Sequence, residues 1–139
     1  MPSSPITNLP GLDTTVWATV DLPGFHHWPA ATARRAYLAD THRHLFRVTA
    51  EVRVDHTDRD VEFHDLGDLI REWWRSGDPG PSAGPQEASP TRDWGSCSCE
   101  AIGETLWQTL VVCGLDPVEV AVSEDGEFGA RLRRVAGHD

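Results

Sequence analysis

The sequence predicts an α+β fold in which two helices pack on one face of an antiparallel sheet. Three observations indicate this class: a run that alternates between apolar and polar residues, two segments with apolar residues at helical spacing, and a final pair of β-branched runs joined at Asp125-Gly126. The predicted order is strand, hairpin, helix, helix, hairpin. At 139 residues the chain can bury one hydrophobic core, so we expect a single domain, residues 15–139, preceded by a flexible arm, residues 1–14.

The first strands are predicted from their β-branched and alternating residues. Thr15 to Leu22, TVWATVDL, should form a strand that ends at Pro23-Gly24, with a loop through Ala33 after it. Leu45 to Val54 places apolar residues on one face and polar residues on the other, as a half-buried strand does. The short run DVEF, Asp60 to Phe63, should pair with this strand as an antiparallel hairpin.

Two helices are predicted between the hairpins. His64 to Ser76, HDLGDLIREWWRS, has its leucines, isoleucine and tryptophans at helical spacing. We expect Trp73-Trp74 in the core and in contacts between subunits rather than as a substrate platform. The second helix follows Ser96 or Ser98, either of which suits a helix N-cap. Residues 77–95 lie between the helices, are rich in proline and glycine, and should form a loop.

Charge and composition exclude several classes of partner. The net charge of −10 and the lack of a basic stripe exclude nucleic acid. No apolar run is long enough to cross a bilayer, and the first residues lack the pattern of a signal peptide, so we expect a cytoplasmic protein without a membrane partner. The three cysteines, Cys97, Cys99 and Cys113, form neither a disulfide framework nor a four-thiolate zinc site and should be reduced.

Histidines are the main candidates for a functional site. His42 and His44 stand two apart at the head of the alternating run, so a strand that includes both puts their imidazoles on one face. His26 or His27 can supply a third imidazole, and three histidines with a water form an open, catalytic type of zinc site. The alternative is a set of solvated histidines that do not converge. The pattern alone leaves both possibilities open.

Five short segments follow one another along the chain: FHHWP, HRHLFRV, EFHDL, CSCE and ED. In this order they resemble the motifs of the 6-pyruvoyl-tetrahydropterin and 6-carboxy-tetrahydropterin synthase family. That family has a histidine after its first strand, H-G-H before an alternating strand, D-F-x-[DE]-L and P-T-[SA]-E at two helix starts, and E-T in the last strand pair. The resemblance covers about Val16 to Val135. It implies the tunnelling fold, with a four-stranded antiparallel sheet and two helices on one face, in a homo-oligomer that is commonly a hexamer.

The resemblance also implies roles for individual residues. The implied zinc ligands are His26, His42 and His44, with His27 as the rival for the first place. Glu124 would anchor a pterin ring by accepting hydrogen bonds from it. Ser98 and Glu100 would contact the substrate beside it.

Departures from the family concern the groups that move protons. Leu38 stands where the family has its catalytic cysteine, and a leucine cannot carry a proton. Asp78 matches the family's aspartate, but Pro79 replaces the histidine that accompanies it. The residues that we expect to replace these missing proton carriers are Asp78, Cys99 and His27. Further candidates are Cys97, Asp40, Tyr37 and His64.

The resemblance and the departures together imply a divergent enzyme. We expect a zinc-dependent lyase or isomerase that acts on a pterin-like or polyol-bearing small molecule. The alternative is a catalytically inactive homologue that serves as a ligand-binding or assembly protein.

Overall fold

The fold is a five-stranded sheet with helices on one face, which confirms the predicted α+β class. The computed structural model describes residues 10–76 and 91–135. The elements are β1 (Thr14–His26), a 3₁₀ helix (Ala33–Ala39), β2 (His42–Val54), α1 (Phe63–Arg75), β3 (Arg92–Asp93), α2 (Cys99–Val112), β4 (Asp116–Glu124) and β5 (Phe128–Arg133). The strand order is β3-β1-β2-β4-β5. The four long strands are antiparallel, and β3 is a short additional strand parallel to β1.

The hydrophobic core lies between one face of the sheet and the two α-helices. Residues at alternate positions of β2, from Phe46 to Val54, are buried on this face. Val20 of β1 and Val122 of β4 both stand opposite Val48, so the three central strands contribute to the same layer. α1 packs mainly on β1, and α2 packs on β4 and β5. The same face of the sheet continues past Phe46 to the strand ends where the histidines lie.

Both helices begin at residues whose side chains cap them. Glu62 accepts a hydrogen bond from the Asp65 amide at the start of α1, and Ser98 accepts one from the Ala101 amide at the start of α2. Ser98, rather than Ser96, is therefore the cap of the second helix. α1 buries both tryptophans as expected, and the Trp74 indole donates to the Pro23 carbonyl at 2.9 Å.

The predicted hairpin between Leu45–Val54 and Asp60–Phe63 is wrong. β2 pairs with β1 along one edge and with β4 along the other, so neither edge is open to DVEF. Phe63 instead begins α1, and Glu62 caps it. The long-range pairing of β2 with β1 and β4 thus replaces the local pairing that short sequence separation favours.

The first strand extends farther than predicted. β1 continues through Pro23-Gly24 to His26 and stays paired with β2. Proline is tolerated at a strand edge. Gly24 has no side chain, and this leaves room for the Phe46 and Trp74 rings. β2 also begins early, at His42. The 3₁₀ helix, Ala33–Ala39, begins where the predicted loop ends.

The predicted loop, residues 77–95, is only partly described. Residues 77–90, and with them Asp78, lie outside the described residues, as do residues 1–9 of the predicted arm. At the end of the loop, β3 pairs with Gly24 and Phe25, so the prediction of a loop throughout is wrong there. None of the helices in the described ranges is long and apolar enough to span a membrane.

Candidate metal centre

Three strands bring four potential ligands together at one end of the sheet. His26 of β1 stands opposite His42 of β2, His44 follows on the same face, and Glu124 ends β4 opposite Phe46. The candidate ligand atoms of His26, His42, His44 and Glu124 all lie within 4.8 Å of one another. The three imidazoles meet edge to face, with ring centroids 4.7 to 5.3 Å apart. The prediction that the histidines share a face is confirmed, and the alternative of scattered histidines is wrong.

Each imidazole is held from behind through its Nδ1 atom. The oxygens involved are the Cys97 carbonyl at 3.1 Å from His26, the Asp40 carbonyl at 2.9 Å from His42, and the Asp125 carboxylate at 2.7 Å from His44. Carbonyl and carboxylate oxygens only accept hydrogen bonds, so each Nδ1 carries the hydrogen when the ring is neutral. The Nε2 lone pairs are then free to bind an ion, which is the usual arrangement behind metal-binding histidines.

Glu124 lies inside this group of nitrogen atoms. Its Oε1 is 2.7 Å from Nε2 of His26, and its Oε2 is 3.6 Å from Nε2 of His44. Close as these contacts are, both buried Nε2 atoms lack a hydrogen-bond partner among the described residues. An imidazole lone pair and a carboxylate repel each other at this distance. The arrangement therefore favours a proton or a cation between them.

Electrostatics at the centre agree with this arrangement. Burial lowers the pKa of His26, but the Glu124 carboxylate and the Cys97 carbonyl outweigh burial, and the net shift of the pKa is upward. The neighbouring His26 ring lowers the pKa of Glu124 against the effect of burial, with smaller contributions from His44 and His42. The site thus holds an anion among imidazoles.

The donor set fits zinc. Imidazole nitrogens and a carboxylate oxygen are ordinary zinc ligands, and the two buried Nε2 atoms without hydrogen bonds point to the place where an ion would lie. His26, not His27, is the histidine of β1 that joins the group.

A pocket of about 540 Å³ opens beside the centre. His26, His42 and Glu124 form part of its wall. Other wall residues are His27, Trp28, Leu38, Ser98, Glu100 and Phe128. The Trp28 and Phe128 side chains are half or more exposed at this wall. The volume lies within the range of small-molecule sites, about 300 to 1,000 Å³.

Comparisons with known proteins agree on one architecture. No protein-family model matches the chain, and no curated protein matches it. A catalytic-residue mutant of Plasmodium vivax 6-pyruvoyltetrahydropterin synthase matches with a TM-score of 0.57 and 18% identity over 88% of this chain and 99% of that chain. The Caenorhabditis elegans 6-pyruvoyl tetrahydropterin synthase matches with a TM-score of 0.56 and 11% identity over 96% and 100%. An uncharacterized protein from Wolinella succinogenes matches with a TM-score of 0.56 and 13% identity over 90% and 100%.

The chain has the fold of the 6-pyruvoyl tetrahydropterin synthases. The resemblance inferred from the motifs is thereby confirmed for the architecture, including the tunnelling fold with its antiparallel sheet and helices on one face. At identities of 11 to 18%, these similarities show the fold of the chain but not its activity.

The residues predicted to contact substrate in this synthase fold all line the pocket. Ser98 and Glu100 stand at the start of α2, and Glu124 stands across from them. Glu124 lies within the ligand group as well, which the motif comparison did not indicate. Leu38, which the motif comparison aligns with a catalytic cysteine of the family, is part of the pocket wall and offers it only an apolar surface.

The predicted catalytic substitutes differ in their surroundings. Cys99 lines the pocket, but burial raises the pKa of its thiol to about 12, helped by Glu124 and Glu100, so it is a neutral thiol at physiological pH. His27 also lines the pocket, and its buried Nδ1 has no hydrogen-bond partner among the described residues. His64 is largely exposed and bonded to Glu62, and it is not part of the pocket wall.

The residue that the sequence analysis missed is Asp125. Its carboxylate contacts both the His44 ring and the Leu45 amide from the turn after β4. The motif comparison aligns Glu124-Asp125 with E-T and gives Asp125 no role. No local signal shows that the turn after β4 approaches His44, because the contact depends on the register of β2 with β4.

Proposed function

We propose that the chain is a zinc-dependent enzyme, related to 6-pyruvoyl-tetrahydropterin synthase, that acts on a pterin-like or polyol-bearing small molecule by lyase or isomerase chemistry. The observation that carries the proposal is the convergence of three imidazoles and a carboxylate beside a pocket of suitable size. Zinc at such a site polarises substrate oxygens and makes neighbouring C–H and O–H protons easier to remove.

The chain's own residues would bind and orient the substrate. Glu100 and Glu124 offer carboxylate acceptors to the N–H groups of a heterocycle or to the hydroxyls of a polyol. The Ser98 oxygen already accepts from the Ala101 amide, but its O–H remains able to donate to the ligand. Leu38 provides apolar contact and keeps water from that side of the pocket.

His27 is the proton carrier that we favour. It lines the pocket, and an imidazole is the side chain that most often carries protons in enzymes. Cys99 is a weaker choice because its thiol is not ionised near neutral pH. Asp78 stays a candidate from the family pattern.

The test combines metal content with turnover. Purified protein should contain zinc, or take it up, and should convert dihydroneopterin triphosphate or a related pterin. His42→Ala should abolish both properties. His56→Ala is the matched control, because His56 lies at the turn after β2, at the opposite end of the sheet. A protein that is purified without metal and is unchanged by added zinc would refute the proposal.

A second candidate function is ligand binding without catalysis. Leu38 at the pocket wall favours it, since the side chain at the synthases' cysteine position carries no titratable group. Binding can be followed through the fluorescence of Trp28, with Trp28→Phe as the control for the other tryptophans. Saturable quenching by a pterin without any product would favour the binding function, whereas turnover that is lost in His27→Ala would favour the enzyme.

A further inference from the structure

Asp125 makes a set of contacts that neither the motif pattern nor the metal ligands explain. Its Oδ2 lies 2.7 Å from Nδ1 of His44, and its Oδ1 accepts the Leu45 amide at 2.9 Å. The Asp125 amide in turn donates to the Leu45 carbonyl at 2.8 Å. The turn is thus tied to β2 beyond the last paired residues, Phe46 and Glu124.

The backbone conformation suits this residue type. Asp125 has φ of +55°, in the left-handed region that aspartate, asparagine and glycine tolerate better than other residues. Asn or Gly can therefore replace Asp125 without new backbone strain, and this makes the side chain testable by itself.

Asp125 differs from the groups behind the other two histidines. His26 and His42 are held by the backbone carbonyls of Cys97 and Asp40, which no substitution removes. Among the three histidines, only His44 has a side-chain carboxylate as its Nδ1 partner. A carboxylate behind a metal-binding imidazole fixes its tautomer and makes its free nitrogen a better ligand.

We propose that Asp125 is a positioning residue of the metal centre, which holds His44 with hydrogen on Nδ1 and presents the Nε2 lone pair to the ion. This inference rests on the metal centre of the proposed function and adds to it a residue that acts through a ligand. It concerns the orientation and tautomer of one ring and assigns Asp125 no contact with substrate.

The chemistry of an amide at this position gives a sharp test. In Asp125→Asn, the amide oxygen can accept from Leu45 or from His44 but not from both. If the oxygen keeps the Leu45 amide, the NH₂ group faces Nδ1 of His44 and favours hydrogen on Nε2, the wrong tautomer for binding. Glu127→Gln is the matched control, because it makes the same change in the same turn, and no hydrogen bond or ion pair shown among the described residues joins the Glu127 side chain to a histidine.

Two measurements separate this inference from the proposed function. Imidazole nitrogen shifts of the metal-free protein at pH 8.5 report the His44 tautomer, and competition with a chelator reports zinc affinity. We expect wild type and Glu127→Gln to have hydrogen on Nδ1. Asp125→Asn should lose that preference and bind zinc about 10- to 100-fold more weakly. Asp125→Gly keeps the turn conformation and should show the same loss of affinity, with circular dichroism as the check of folding.

Each outcome is decisive for one of the two claims. A wild-type protein that binds no zinc refutes the proposed function, while the tautomer comparison still tests Asp125. If wild type binds zinc and both Asp125 variants bind it within about threefold of wild type, with the His44 tautomer unchanged, the inference is wrong.

Discussion

Each histidine of the metal centre is positioned by a partner behind its ring. The three Nδ1 atoms face acceptor oxygens, and this directs the three Nε2 atoms to one point beside Glu124. The pocket next to this point contains Leu38, where the family motif would place a cysteine. At the scale of residues, therefore, the groups that could bind an ion converge, whereas Leu38 offers no proton carrier.

The thiol of Cys99 gives a prediction at this scale. With a pKa of about 12, only about one thiol in ten thousand is ionised at pH 8. Iodoacetamide at pH 8 should therefore leave Cys99 intact in the folded protein while it modifies the exposed Cys113. Mass spectrometry of peptides after timed quenching measures both sites, and unfolding in guanidinium should make them equally reactive. Equal rates in the folded protein would restore Cys99 as a candidate base.

The sequence allows part of the site to be predicted. His42 and His44 share a face because strand side chains alternate, and this follows from the spacing alone. Glu124 and Asp125 reach the histidines only through the register of β4 against β2, which pairs residues about 80 positions apart. Such a register is set by the packing of the whole sheet, so no local pattern reveals these two contacts.

At the scale of elements, the candidate site lies on the end of β1 and the start of β2, where these two strands pair. Gly24 stands opposite His44, and a methyl group on it would lie 2.7 Å from Trp74 and 3.0 Å from Phe46. The His26 and His44 rings rest on Phe46. The metal centre is thus built directly on the hydrophobic core, and it does not depend on a loop.

Two glycine substitutions should have opposite effects on stability. Gly24→Ala should lower the free energy of unfolding by about 1 to 3 kcal/mol, because the added methyl group meets two rings. Gly67→Ala in α1 should raise it by about 0.5 to 1 kcal/mol, because its methyl group makes ordinary contacts and alanine favours the helix. Urea denaturation of both variants checks the signs. Stabilisation by Gly24→Ala would show that Gly24 is not tightly packed against the Trp74 and Phe46 rings.

The cap of α1 should make stability depend on pH. Contacts with His64 and the Asp65 amide lower the pKa of Glu62 against a small effect of burial. A lowered pKa stabilises the folded state above the ordinary glutamate range, and this contribution is lost as the pH falls through the folded-state pKa. Glu62→Gln should therefore be less stable than wild type at pH 7, and the difference should shrink at an acidic pH low enough to protonate Glu62. Chemical denaturation at both pH values measures this.

A matched variant in the other helix serves as the control for this pH effect. Glu104→Gln changes an exposed carboxylate of α2 that caps no helix end. A difference from wild type at pH 7 that is as large for Glu104→Gln as for Glu62→Gln would contradict the role of the cap.

The elements themselves were partly predictable. Both helices and the last strand pair follow from periodicity and turn residues, and Ser98 caps α2 as one of the two predicted choices. The predicted hairpin at Asp60–Phe63 failed because β2 takes both of its neighbours from distant parts of the chain. Local alternation indicates a strand but does not identify its partners.

At the scale of the whole molecule, the sheet leaves backbone groups open at its edges. Within the described residues, β5 pairs only with β4, and β1 meets β3 only at Gly24 and Phe25. Open strand edges readily pair with another chain. These edges are where the homo-oligomer implied by the family resemblance, commonly a hexamer, could form its contacts.

Solution mass tests the assembly. Light scattering after size-exclusion chromatography should give a multiple of the 15.4 kDa chain mass, six-fold for the expected hexamer. The mass should stay constant across a tenfold dilution, because an interface made along strand edges buries both backbone and side chains. A mass of one chain at all concentrations would contradict the proposed assembly.

The most direct test of the metal centre is anomalous X-ray diffraction from crystals of zinc-loaded protein. We expect one ion bound by Nε2 of His26, His42 and His44 at about 2.0 to 2.1 Å, with the Glu124 carboxylate beside it. A structure determined in excess zinc that shows no ion among these three histidines, with Glu124 still against His26, would contradict the metal centre.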